Sequence, residues 1–311
     1  MVEGLSVRVA AIDCGTNSIR LLVADIDGNN FREVVREMHV VRLGAGVDKT
    51  HAFDPAAIER TLAATKEYSA IIASKGVEKI RFCATSATRD ATNRNLFIDG
   101  VREILGIEPE VIPGTEEAAL SFSGATKELD TALAPYLVVD IGGGSTEFVL
   151  GSERVEFARS VNIGCVRMSE RHLTMQPPSA QSLASAIEDI DTAIGEAAET
   201  VPFSKAQTLI AVAGTATTVA AAVLQLSHYD RYSIHLARIP AQKVHEVASM
   251  FAAMTREEIA ALPYMHPGRI DVITAGSLVL SRVMLATGAQ EFVASESDIL
   301  DGMAWSLGSQ K

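Results

Sequence analysis

Residues 138–145 read VVDIGGGS, and residues 11–18 read AIDCGTNS. Set over one another, they place Asp13 on Asp140, Gly15 on Gly142 and Ser18 on Ser145. Each stretch follows an apolar run and precedes another, so each reads as a tight turn between two strands. One such turn in each half of the chain makes internal duplication the economical explanation.

Outward from the first turn, VRVAAID (7–13), LLVADID (21–27) and REVVREMHVVRL (32–43) predict three successive strands. Asp54 is placed to cap a helix with Pro55 at its first position, and the amphipathic stretch behind it continues to Gly76. A strand at 80–85, a polar turn, a helix over Leu96 to Leu105, a short strand at Val111 and Ile112, and a helix from Thr115 to Leu129 complete a first unit. After Ala134 and Pro135, YLVVDIGGGSTEFVLG and ERVEFARSVNIG give three strands again. MQPPSA (175–180) is the most linker-like stretch. A helix over 181–199, a strand over 208–212, a helix over 215–226 and helices near 241–253 and 269–287 follow. The expectation is an α/β fold of two similar domains, 1–130 and 131–297, with a helix at about 298–307 in the closing segment 298–311 packing back on the first.

The chain of 311 residues is 48% hydrophobic and 21% charged, ample for buried cores and unlike a disordered or fibrous chain. Its 27 Lys and Arg against 39 Asp and Glu leave a net charge of −12, a field that opposes non-specific nucleic-acid binding. An anionic substrate therefore requires a locally positive pocket. Cys14, Cys83 and Cys165 are far apart, and no histidine spacing accompanies them that would hold zinc. A reducing cytoplasm is the simplest home, and the first residues show no basic leader before an apolar stretch. The charge-free run 206–229 is long enough for a membrane span, but Gly214 and Thr215 divide it into a strand and a helix, so no membrane partner is expected.

There is no GK dipeptide and no GxGxxG after the first strand, which excludes the common nucleotide loops. The paired turns offer another anion site. Glycines 142, 143 and 144 let backbone N–H groups converge on phosphate oxygens, and Ser145 and Thr146 add hydroxyls. The first copy supplies Asp13, Gly15, Thr16, Asn17 and Ser18. A bare GGG is also what an ordinary hairpin turn uses; the second, polar copy is what favours phosphate. Asp140 and Glu147 flank the glycine loop and suit Mg²⁺ or another hard divalent cation. Asp13 either holds a metal-bound water or orders its own turn. Cys14 has no activating histidine beside it in sequence and reads as a small buried residue.

Taken in order, DCGTNSIRLL (13–22), LGAGV (43–47), ATSATRDATN (84–93), IPGTEEA (112–118), DIGGGSTEF (140–148), NIGCVRMSE (162–170) and AGTATT (213–218) resemble the exopolyphosphatases and guanosine pentaphosphate phosphohydrolases. These belong to the superfamily of actin, sugar kinases and acetate kinases, and the resemblance spans essentially the whole chain. It implies two actin-like, ribonuclease-H-like domains with the active site in the cleft between them. It implies that Glu117 orients the attacking water, with Glu116 only its neighbour, and that Arg89 contacts phosphate. Arg20 and Arg167 are further candidates for a positive track, and AGTATT lies where superfamily relatives bind adenosine or else only closes the core. The activity implied is Mg²⁺-dependent removal of the terminal phosphate of inorganic polyphosphate, with short chains preferred. The rivals are guanosine pentaphosphate 5′-phosphohydrolysis, phosphate transfer to an acceptor, and sensing of nucleotide or polyphosphate without turnover. A homodimer is implied as well. The chain departs from the family at Ala119, where an arginine is common, and at Asp298, where glycine is common. It also has no HD dipeptide, which leads to the expectation of a weaker grip on long chains.

Overall fold

The computed structural model describes residues 6–28 and 30–308. Residues 1–5, where no basic leader is read, and residues 309–311 of the expected closing segment lie outside the described residues. Two units divide the chain: Met1–Gly124 with Ile299–Lys311, and Ala125–Asp298.

The first unit is built on strands β1 (Val7–Cys14), β2 (Ser18–Asp27), β3 (Asn30–Val40), β4 (Lys79–Ala84) and β5 (Glu110–Val111), in the order β3-β2-β1-β4-β5. β1, β2 and β3 form an antiparallel meander, while β4 runs parallel to β1 and β5 parallel to β4. Successive side chains of a strand alternate faces, and both faces here are covered. Ala10, Ile12, Leu21 and Val23 enter one core with Tyr68, Phe82 and Phe97. Val9, Ala11, Leu22 and Ala24 enter a second with Leu300, Met303 and Ala304 of the helix Ile299–Gly308, which packs on β1, β2 and β4. Gly302 lets the same helix approach the helix Gly114–Thr126 closely: a Cβ there would stand 2.0 Å from the Leu120 carbonyl oxygen.

The second unit holds β6 (Tyr136–Ile141), β7 (Thr146–Gly151), β8 (Val155–Val161), β9 (Thr208–Val212), β10 (Arg238–Pro240) and β11 (Glu291–Ala294), in the order β10-β11-β9-β6-β7-β8. Followed from β8, its first five strands repeat the order and directions found from β3 in the first unit, with β10 added at the edge. The duplication visible in two short sequence stretches is thus a duplication of whole α/β sheets.

Local signals place several elements. Asp54 Oδ1 accepts the Ala56 N–H at 2.7 Å, Pro55 opens the helix Pro55–Lys75, and Gly76 closes it with φ 64°. Other elements differ from the sequence reading. MQPPSA lies inside the second unit and links no domains; Gln176 Nε2 donates to the carbonyls of Phe251 and Met254, each at 2.7 Å. The polar turn before Leu96 contains a short helix, Ser86–Asp90, and a helix Cys165–His172 follows the second meander. The helix expected to Leu129 ends at Thr126, and the one expected from 269 begins at Ile273 after a single turn at Pro267–Arg269. Residues 206–229 supply β9 and the helix Ala213–Val223, and no helix of the described residues is long and apolar enough to cross a membrane.

Candidate active site

In the first unit the β1–β2 turn closes when the Gly15 N–H donates to the Ser18 carbonyl at 3.0 Å. Its other carbonyls face neighbouring backbone. Thr16 O accepts from Gly44 at 2.9 Å, Asn17 O from Arg42 at 2.8 Å, and Cys14 O from Thr85 at 3.1 Å. LGAGV therefore shapes the turn, and only glycine fits at its second position. A Cβ on Gly44 would lie 2.4 Å from Thr16 Cγ2. Asp13, at the end of β1, is the register partner of Arg20 and accepts from its Nη2 at 2.7 Å and Nε at 3.1 Å. That pairing supports the reading in which Asp13 orders its own hairpin. Arg20, expected on a phosphate track, braces it.

Glu117 stands in the first turn of the helix Gly114–Thr126, where the helix dipole favours a carboxylate. Its Oε2 accepts from Arg89 Nη1 at 2.7 Å, and the same nitrogen donates to the Ile112 carbonyl at 2.9 Å. Burial pushes the Glu117 carboxyl above the usual carboxylate range; Arg89 opposes that most strongly, Asp13 adds to it, and a hydrogen bond from Thr85 opposes it. The neighbouring acid has a different environment. Glu116 is 41% exposed and pairs with Arg81 at 2.5 Å, whereas Glu117 is 12% exposed. The structure therefore separates a surface ion-pair acid from a buried one whose affinity for a proton is raised by burial.

The second turn is closed the same way, Gly142 N–H to Ser145 carbonyl at 3.0 Å. The first amides of the helix Cys165–His172 then take up the loop carbonyls. Cys165 N–H donates to Gly142 O at 2.9 Å, and the N–H groups of Val166 and Arg167 donate to Gly143 O at 2.9 and 3.1 Å. Arg167 Nε donates to Gly144 O at 2.6 Å. With the carbonyls drawn to one side, the N–H groups of Gly143, Gly144 and Ser145 find no acceptor among the described residues. Three adjacent amides in that state are available as donors to an anion. Arg167, 8% exposed, thus shapes the loop and does not lie on an open positive track. Thr146 also departs from its expected role: its hydroxyl donates to the Ile163 carbonyl at 2.6 Å and is fully buried.

Asp140 and Glu147 are register partners on β6 and β7, so their side chains share one face of the sheet. They are 7% and 1% exposed, and Ser160 Oγ donates to Glu147 Oε1 at 2.7 Å. Two carboxylates side by side offer oxygen donors of the kind a hard cation takes. Among the described residues no group of three or more His, Cys, Asp or Glu side chains could hold a metal ion. The pair therefore fits a cation such as Mg²⁺ that keeps several water or phosphate oxygens.

AGTATT opens the helix Ala213–Val223, with Ala213 at φ 64°. The space over Gly214 is filled by Arg269, whose Nη2 would lie 1.4 Å from a Cβ there. All three cysteines are free and buried; burial, helped by Asp13, pushes the Cys14 thiol well above its usual range and so disfavours the thiolate that a nucleophile needs. The sequence reading missed Thr85, Gly164, Ser160 and Arg269. Only Thr85 and Gly164 lie within stretches that stood out, and nothing local marks their contacts.

A family model described as the Ppx/GppA phosphatase family matches residues 22–308. The Exopolyphosphatase 2 of Mycobacterium tuberculosis is 45% identical over 96% of this chain and 98% of its own length. The crystal structure of an exopolyphosphatase-like protein superposes with a TM-score of 0.95 at 46% identity, covering 97% of this chain and 98% of that one. The Ppx-GppA enzyme of Aquifex aeolicus superposes at 0.81 with 27% identity, covering 98% of this chain and 100% of that one.

Proposed function

Because this chain belongs to the Ppx/GppA phosphatase family, we propose that it is an exopolyphosphatase, releasing orthophosphate from the end of inorganic polyphosphate and preferring short chains. In this reading water attacks the terminal phosphorus, its proton passes to the Glu117 carboxylate, and the bridging P–O bond breaks to leave a chain one phosphate shorter. Phosphoryl transfer needs positioning and charge neutralisation more than covalent chemistry. The N–H groups of Gly143, Gly144 and Ser145 hold the transferred group, with Gly15, Thr16, Asn17 and Ser18 serving the same substrate from the first unit. Asp140 and Glu147 would hold the divalent cation, which when bound offsets phosphate charge. The observation that carries the reading is Glu117: a buried carboxylate, 2.7 Å from an arginine, with its proton affinity raised by burial.

The test is phosphate release measured in parallel on short polyphosphate, long polyphosphate and guanosine pentaphosphate, without an added acceptor. Release from short polyphosphate at the highest kcat/KM is expected. A preference for guanosine pentaphosphate would reassign the substrate, and release only with an acceptor would reassign the reaction. Chelation is expected to abolish release and Mg²⁺ to restore it. Glu147→Gln should raise the Mg²⁺ concentration for half-maximal rate by roughly 10- to 100-fold, the range for disturbed metal sites. An unchanged metal requirement would remove Asp140 and Glu147 from this role.

A further inference from the structure

Arg81 stands on β4, 15% exposed, and its guanidinium is shared among three segments of the first unit. Nη2 donates to Glu110 Oε2 at 2.8 Å, and Nε donates to both Glu110 oxygens at 3.2 Å, which ties down β5. The same Nη2 donates to Glu116 Oε1 at 2.5 Å, in the first turn of the helix Gly114–Thr126. Nη1 donates to Ser306 Oγ at 3.3 Å, on the helix Ile299–Gly308. The entry to the helix that carries Glu117 depends on such ties. β5 is a strand of 2 residues at the edge of its sheet, and only residues 112 and 113 separate it from that helix.

We infer that Arg81 is a positioning residue for hydrolysis: by bracing Glu116 it sets the rotation of the helix Gly114–Thr126, and with it the direction in which Glu117 points. The inference deepens the proposed function and rests on it for its kinetic consequence, but not for its structural one. Consecutive residues of an α-helix leave the axis about 100° apart, so a helix held at Glu116 presents Glu117 in one direction. Arg89 holds Glu117 at 2.7 Å from the short helix Ser86–Asp90, and Arg81 holds Glu116 from β4. Two arginines thus grip two successive acids, and the first turn cannot roll without breaking one of the bonds. Within that turn the Glu116 and Glu117 N–H groups share a single acceptor, the Pro113 carbonyl, at 3.0 and 3.1 Å. Glu110 and Glu116 are 49% and 41% exposed, so water screens both ion pairs and their contribution to stability is small. Their consequence is geometric.

The experiment compares Arg81→Met, which keeps the stem and loses the donors, with Glu116→Ala, which removes the other end of the same bond. On short polyphosphate each is expected to lower kcat by about 10- to 100-fold, up to the loss that a displacement of about 1 Å causes, with KM within about twofold. The double variant should lose no more than the worse single, because both changes break one interaction. Amide hydrogen exchange followed by NMR reads the brace without substrate. The Glu116 and Glu117 amides should exchange about tenfold faster or more in each variant, while amides in the last turn of the same helix keep their rates. Wild-type kcat in Glu116→Ala overturns the inference, as does unmoved exchange in the first turn, or a loss in the double variant equal to the product of the two singles. Glu116 lies at the surface, so its variant decides the matter even where Arg81→Met does not fold. Absence of polyphosphate hydrolysis in the unaltered chain would instead overturn the proposed function, and the exchange rates would still decide whether Arg81 braces the helix.

Discussion

Replacing Glu117 by glutamine is expected to lower kcat for phosphate release by about 10²–10⁴-fold, the contribution of a positioned general base, while KM changes little. Glutamine preserves length and planarity and still offers a carbonyl oxygen to Arg89 Nη1, now 2.7 Å from the carboxylate. It cannot accept the proton of an attacking water. Phosphate affinity should survive because the amides assigned to it lie in the loop Gly142–Ser145. Some loss of stability is expected too, since Arg89, 24% exposed, loses its charged partner. Melting measured beside the kinetics separates the two effects: a folded variant with little turnover supports the assignment, and turnover near wild type removes Glu117 from the chemistry.

Gly164→Ala should be comparably damaging for a steric reason. Gly164 has φ −157° and ψ 166°, extended backbone that any residue adopts, so conformation does not require glycine here. Proximity does. A Cβ would stand 2.4 Å from Gly143 O, 2.5 Å from Gly143 C and 2.8 Å from Gly144 N. These are backbone atoms of the loop Gly142–Ser145 and cannot swing aside as a flexible side chain does. The methyl group would force the loop from the helix Cys165–His172, breaking the bonds that draw its carbonyls away from the anion side. Loss of one aligned donor typically costs about 10²–10³ in rate, and kcat/KM should fall by at least that much. Overpacking costs about 1–3 kcal/mol, so melting should fall as well. Gly195→Ala is the control: it lies in the helix Ala180–Thr200 with nothing within 4 Å of an added Cβ, and activity should be unchanged. Wild-type kcat/KM in Gly164→Ala would mean that the loop amides do not bind the reacting phosphate.

The sequence was informative where a local signal determines a local structure. Alternating apolar runs located the meanders, and the Asp54–Pro55 start and the Gly76 stop delimited a 21-residue helix to the residue. The paired turns were visible because each is a short segment closed by its own hydrogen bond, Gly15 to Ser18 and Gly142 to Ser145. The uses of polar groups were harder to read when their partners lie far along the chain. Thr146 looked like a phosphate donor until the Ile163 carbonyl was seen to take its hydroxyl, and Arg167 looked like a cation on a track until Gly144 was seen to accept from it. The helix Cys165–His172 escaped for the same reason. Its N-cap, Gly164, offers no side-chain cap, and the groups that satisfy its first amides are carbonyls from a loop more than twenty residues earlier.

The helix Ile299–Gly308 belongs to the first unit although all of Ala125–Asp298 precedes it in the chain. Biosynthesis therefore finishes the two units in the reverse of the order in which it starts them. A growing polypeptide can assemble the second unit as soon as residue 298 emerges, since that unit is one continuous stretch. The first must wait, its β-sheet face of Val9, Ala11, Leu22 and Ala24 bare until Leu300, Met303 and Ala304 leave the ribosome to cover it. Until then the nascent chain carries an unprotected greasy surface on the strands that flank the Gly15–Ser18 turn, and chaperone dependence should concentrate there.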